Sequence, residues 1–145
     1  MRHITYIALS VVVLGALVAS RGLRAEEVAV VSAKSPVTTL SRSQVADIFL
    51  GKTTRFPDGS QAVPIDQSEG TPGRDEFYTR ITGKSAAQMK AYWSKIIFTG
   101  RGQPPKAVAS GSETKKLVVA NPNTIGYVEL KLVDETLRVV TVTQQ

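Results

Sequence analysis

The chain has 145 residues, a formal charge of +6, one His and no Cys. That length suits one domain, and 42% hydrophobic with 21% charged residues is enough to build a core, so wholesale disorder is excluded. The absence of Cys removes disulfides, thiolate catalysis and every sulfur-ligated zinc site.

The N-terminus has the character of an export signal. Arg2 and His3 precede an apolar run from Ile4 to Ala19. At about 16 residues the run is short of the ~20 that a membrane span needs, and it fits a signal-peptide h-region. Cleavage after Ala25 is expected, although Leu23 is bulky for a position so near the cut; an uncleaved anchor is the alternative. No Cys follows the run, which excludes lipoprotein processing. Removing residues 1–25 takes Arg2, Arg21 and Arg24 from the +6 chain, and leaves a domain of 120 residues (26–145) with charge +3. His3 leaves with them. Without His or Cys, the usual general bases, nucleophile pairs and transition-metal ligands are missing. The remaining basic residues are scattered, with Lys115-Lys116 the only adjacent pair beyond residue 25, so they read as a solvated surface and not as a nucleic-acid patch.

Strand and helix signals then alternate. Residues 27–33 carry Val28, Val30 and Val31 and read as a strand, stopped by Lys34-Ser35-Pro36. Ser41-x-x-Gln44 is a capping box, Val45, Ile48 and Phe49 form an apolar face, and Gly51 ends the helix. Asp58-Gly59 is a turn, and residues 62–65 form a second strand. Thr71-Pro72 opens another helix with Pro at its first position, Phe77, Tyr78 and Ile81 as its buried stripe and Gly83 as its stop. Ser85-x-x-Gln88 is a second capping box, leading a helix with Met89, Tyr92, Trp93, Ile96 and Ile97 as core residues. Residues 100–105 form a loop. Ser110-x-x-Glu113 is a third capping box, ahead of Leu117, Val118 and Val119, and residues 125–129 and 137–142 close the chain as strands. The fold class expected is α/β: one domain with a small mixed sheet flanked by helices.

Three local signals invite a chemical reading. Gly51-Lys52-Thr53 resembles the end of a phosphate-binding loop, but the Gly required five residues earlier is Ala46, inside a helix, so the motif is rejected. The second signal, residues 68–74 (SEGTPGR), joins a strand end to a helix start. Such a junction offers unpaired amides and the positive end of the helix dipole to a small anion. Ser68, Gly70, Thr71, Gly73 and Arg74 are the candidate ligands there, with Arg74 supplying a fork of donors. Against this, Thr71 can simply cap its helix, and Asp75 and Glu76 repel anions. The third signal is Ser110-Gly111, also at a helix start, which faces the same cleft or serves as an ordinary cap. No carboxylate pair converges by spacing, since Asp75-Glu76 and Asp134-Glu135 are sequence neighbours. An enzyme is therefore not expected, and neither a metal nor any other cofactor is implied.

Three stretches carry a family resemblance: residues 40–52 (LSRSQVADIFLGK), 66–77 (DQSEGTPGRDEF) and 123–129 (NTIGYVE). In order and spacing they resemble the second lobe of periplasmic phosphate-binding proteins, the substrate-binding components of phosphate ABC transporters. The resemblance implies a single lobe of a type 2 periplasmic-binding fold, a periplasmic location and phosphate or a similar oxyanion as ligand. The family's binding turn reads Gly-Ser-Gly-Thr-Arg-Asp, with an Arg three positions before it. Here Gly70-Thr71-Pro72-Gly73-Arg74-Asp75 occupies that turn, Pro72 removes an amide donor, Gly73 lacks the second hydroxyl and Gln67 replaces the preceding Arg. Family members close two lobes over their ligand and this chain has room for one, so phosphate affinity near ~1 mM, about 4 kcal/mol, is expected. The partner expected is a membrane transporter or sensor, or a second copy that completes the cleft. The alternative is an interaction or regulatory module that keeps the fold without the ligand.

Overall fold

A computed structural model describes residues 26–140. The expected signal peptide, residues 1–25, and the last two positions of the expected final strand lie outside the described residues.

The first strand, β1 (Glu27–Ser32), is buried along its whole length. Its alternate side chains serve different layers: Val28 and Val30 join one apolar cluster, and Ala29 and Val31 the other. A strand covered on both faces suits this continuous apolar run, Val28-Ala29-Val30-Val31. It pairs antiparallel with β4 (Thr124–Glu129) and with β5 (Leu137–Val139). On the far side of β4, β2 (Val63–Gln67) runs parallel to β4 and to β3 (Lys106–Val108), so the strand order is β3-β2-β4-β1-β5.

Helices cover both faces. The helix α1 (Arg42–Phe49) starts at a complete capping box, in which Ser41 Oγ accepts from the Gln44 amide and the Gln44 side chain accepts from the Ser41 amide. The same device begins α3 (Ala86–Phe98) at Ser85 and Gln88. Between them lies α2 (Pro72–Thr82), which ends at Gly83 in the left-handed conformation, φ 73°. These three pack on one face around Phe49, Phe77, Tyr78 and Tyr127. Phe77 stacks on Tyr127 with centroids 4.0 Å apart, and Phe49 meets both edge-on. The fourth helix, α4 (Gly111–Ala120), covers the other face through Val118, against Val28, Val30, Val128 and Leu137. Gly126 makes this approach possible: a Cβ there would stand 2.4 Å from Thr114 Cγ2.

The structure departs from the sequence reading in several places, and the last strand, expected over 137–142, ends at Val139 although Val140 is also described. β3 falls directly after the expected loop and is only three residues long. The second strand runs to Gln67 and not to Ile65. At α4 the capping box is half formed, because the Glu113 carboxylate accepts from the Ala109 amide and not from that of Ser110. Ile97, expected in the core, is 54% exposed, since α3 buries only the stripe through Met89 and Trp93 with Tyr92 and Ile96 beside it.

Candidate functional site

In this sheet the carboxyl ends of the parallel strands β2 and β3 feed α2 and α4, the position where open α/β sheets commonly hold ligands. Because β1 runs antiparallel and Glu27 lies opposite Glu129, these two acids stand at the same edge. The edge therefore carries the whole sequence-predicted site, together with two carboxylates that sequence reasoning missed.

The predicted ligands are largely engaged within the protein. Ser68 donates both its amide and its hydroxyl to Val108 O, at 3.0 and 3.2 Å, tying β2 to β3. Thr71 is the N-cap residue of α2, yet its hydroxyl donates to Ser68 O (2.9 Å) and accepts no amide from the helix. Gly70 turns the chain at φ 85° and leaves open space where a side chain would be. Ser110 caps α4 by accepting from the Glu113 amide. Gly111 packs against Leu132 and Val128, within the cluster on the far face of the sheet. Ser110 and Gly111 thus share the sheet edge with residues 68–74 while α4 and α2 lie on opposite faces.

Arg74 turns inward. It is 7% exposed, its guanidinium lies over the Tyr78 ring at 5.3 Å, and its Nε stands 3.5 Å from Asp66 Oδ1 as an ion pair without hydrogen-bond geometry. Asp66 is the hub of this network. It accepts from Tyr127 Oη (2.5 Å) and Tyr78 Oη (2.7 Å), and its own backbone neighbour Gln67 donates an amide to Oδ1 (2.7 Å). Burial and the Asp66 charge push both phenols well above their ordinary range, so each stays a neutral donor. A buried carboxylate with two phenol donors and one cation is well satisfied, and it holds Arg74 as its counter-ion.

Gln67, at the position where the resemblance places an Arg, is buried and donates its amide group to Tyr127 O (3.0 Å). Gly73 faces Glu27: a Cβ at position 73 would lie 2.2 Å from Glu27 Oε1 and 3.3 Å from Gln67 Oε1. The first turn of α2 therefore meets a carboxylate of its own chain. Glu27 is 4% exposed, and its Oε2 is buried without a hydrogen-bond partner. Burial, followed by repulsion from Glu129 and Glu76, pushes its carboxyl up to about 7, against smaller opposing effects of Gln67 and Arg80. With Asp75, Glu76, Arg80 and Glu129 it lines a hollow of about 660 Å³.

On the opposite flank of the same turn, Gly70, Arg74 and Lys90 line a smaller hollow of about 210 Å³ with Glu69. Among the described residues, no group of three or more His, Cys, Asp or Glu side chains is placed to hold a metal ion, and no helix is long and apolar enough to cross a membrane.

Comparison with solved structures gives one consistent answer. The chain superposes on an ABC-type phosphate transport receptor from Vibrio cholerae with TM-score 0.61 and 21% identity, covering 79% of this chain and 45% of that one. A protein from Clostridium perfringens described as a phosphate ABC transporter substrate-binding protein, solved with phosphate bound, matches at TM-score 0.61 and 23% identity over 79% and 43%. PstS from Borrelia burgdorferi matches at TM-score 0.58 and 14% identity over 82% and 47%. The fold is that of one lobe of such a phosphate-binding protein. The chain spans less than half the length of these structures. No family model and no curated protein matches the sequence. The α/β class and the single-lobe architecture expected from residues 40–52, 66–77 and 123–129 are thereby borne out.

Proposed function

We propose that this chain is a periplasmic, exported interaction module built on the scaffold of a phosphate-binding lobe, and that its α2 turn does not serve as a phosphate carrier site. It is read as a non-enzyme that needs no cofactor and whose partner is a membrane transporter or sensor. One observation carries the reading: Glu27 Oε1 sits against Gly73, at the turn where an oxyanion would have to approach. An incoming phosphate meets Glu27, Asp75, Glu76 and Glu129 there, and Arg80 is the one cation lining that hollow among the described residues. Arg80 is itself occupied by Glu76 Oε1 and by the Glu27 main-chain carbonyl. Thr71 and Ser68 have spent their hydroxyl protons, and Arg74 balances Asp66. Pro72 has no amide proton to give.

A second reading has its own observation. The hollow lined by Glu69, Gly70, Arg74 and Lys90 brings two cations beside the turn and supports weak oxyanion binding there through Gly70 and Arg74; Ser68, Thr71 and Gly73, the other expected ligands, do not line it. It is open to water, so affinity near ~1 mM is the most such contacts supply. Thermal melting in phosphate and in sulfate, on the wild type and on Lys90→Ala, separates the two. No shift with either anion supports the interaction module. A saturable shift that Lys90→Ala abolishes overturns it in favour of the oxyanion reading.

A further inference from the structure

The hollow beside α2 carries more than a negative result. Its four carboxylates have unequal partners. Glu76 is paired with Arg80 at 2.8 Å, and Glu129 with Lys131 at 2.9 Å. Glu27 and Asp75 each keep a buried oxygen, Oε2 and Oδ1, that receives no hydrogen bond from the described residues. Glu27 is more than nine-tenths buried, and its carboxylate lies against Gly73 in the wall of the hollow. Buried acceptors are costly to leave unpaired, at about 1–3 kcal/mol each and more when charged. A volume of about 660 Å³ is within the range of small-molecule sites.

We propose that this hollow is a binding site for an organic cation, an ammonium or guanidinium group on an aliphatic stem, held between Glu27 and Asp75. A bare metal ion is the wrong occupant, since the described acids do not gather into a set able to coordinate one. The missing groups are donors, and an ammonium brings three N–H bonds and a guanidinium five. Pro72 and the Thr79 side chain add apolar wall for the stem. The start of α2 opposes a cation with roughly half a positive charge, and two ionised carboxylates outweigh it. The group arrives either as a free diamine or as a Lys or Arg side chain of a partner protein. The inference goes beyond the proposed function and stands on the acidic hollow alone, so phosphate binding at the Lys90 flank would leave it intact.

The test is a titration of the purified protein with 1,4-diaminobutane and, separately, with an end-blocked Gly-Lys-Gly peptide, followed by NMR of the backbone amides at pH 8. The expected result is saturable shifts at Gly73, Asp75 and Glu76, weakened at least ~10-fold in Asp75→Asn and in Glu27→Gln, as loss of a charged partner requires. Tighter binding of the diamine names a free small molecule as the source, and tighter binding of the peptide names a partner's side chain. Binding should also weaken at pH 5.5, where Glu27 is protonated amid Glu76, Glu129, Gln67 and Arg80. Absence of saturation with both cations overturns the proposal, as does equal affinity in wild type and Asp75→Asn, a variant that leaves β1 untouched.

Discussion

Replacing Glu27 by Gln should stabilise the protein, and only above mild acidity. The Glu27 carboxyl is raised from 4.5 to about 7 by burial and by Glu129 and Glu76. Below pH 4.5 both folded and unfolded chains hold the proton, and the group costs nothing. Between 4.5 and about 7 the unfolded chain releases a proton that the folded chain keeps, so stability falls as pH rises. Above about 7 the folded protein carries the full penalty of a buried, poorly paired charge. At about 1.36 kcal/mol per pH unit the penalty approaches ~3 kcal/mol, and access of water to the hollow brings it nearer ~2 kcal/mol. Gln removes the charge and preserves the volume. Urea denaturation of both proteins should give matching stabilities at pH 4.5, and an advantage of about 2 kcal/mol for Glu27→Gln at pH 8. That is several degrees in Tm for a domain of this size. A difference between the two proteins that stays constant from pH 4.5 to 8 would mean that the Glu27 charge is not what destabilises the fold.

Two further perturbations probe what positions the site. Tyr127→Phe deletes the 2.5 Å hydrogen bond to Asp66 while keeping the ring stacked on Phe77. It should cost about 1.5–3 kcal/mol in chemical denaturation, the range for a bond to a charged acceptor. Gly126→Ala places a methyl 2.4 Å from Thr114 Cγ2 between β4 and α4, and should cost about 1–3 kcal/mol by overpacking. Recovery of most of that loss in the double variant with Thr114→Ser would tie the effect to this contact.

Much of the scaffold was legible because its signals are local. Ser41 and Ser85 cap their helices with the residue three positions on, and Gly83 ends α2 where its positive φ is needed. The continuous apolar run in β1 told of burial because both its faces are covered. β3 was not legible: three residues of ordinary composition become a strand only by pairing with Ile65, Asp66 and Gln67. The site was harder for the same reason. Arg74 looked like a ligand fork from its place in the turn. Its orientation is set by Asp66, whose charge is held by Tyr78 and Tyr127 from two other elements. Glu27 and Glu129 are about a hundred positions apart, and only the antiparallel register of β1 on β4 brings them face to face beside Glu76. The one signal that pointed there was negative: Gln67, Pro72 and Gly73 depart from the phosphate-binding turn that residues 66–77 otherwise resemble.

In the proposed function Glu27 holds a carboxylate against Gly73 at the α2 turn and keeps phosphate out. Isothermal calorimetry of phosphate into the purified protein at pH 7.5 tests it most directly. No saturable binding tighter than ~1 mM, equivalent to about 4 kcal/mol, is expected. A micromolar or tighter constant, lost in Thr71→Ala, would contradict it.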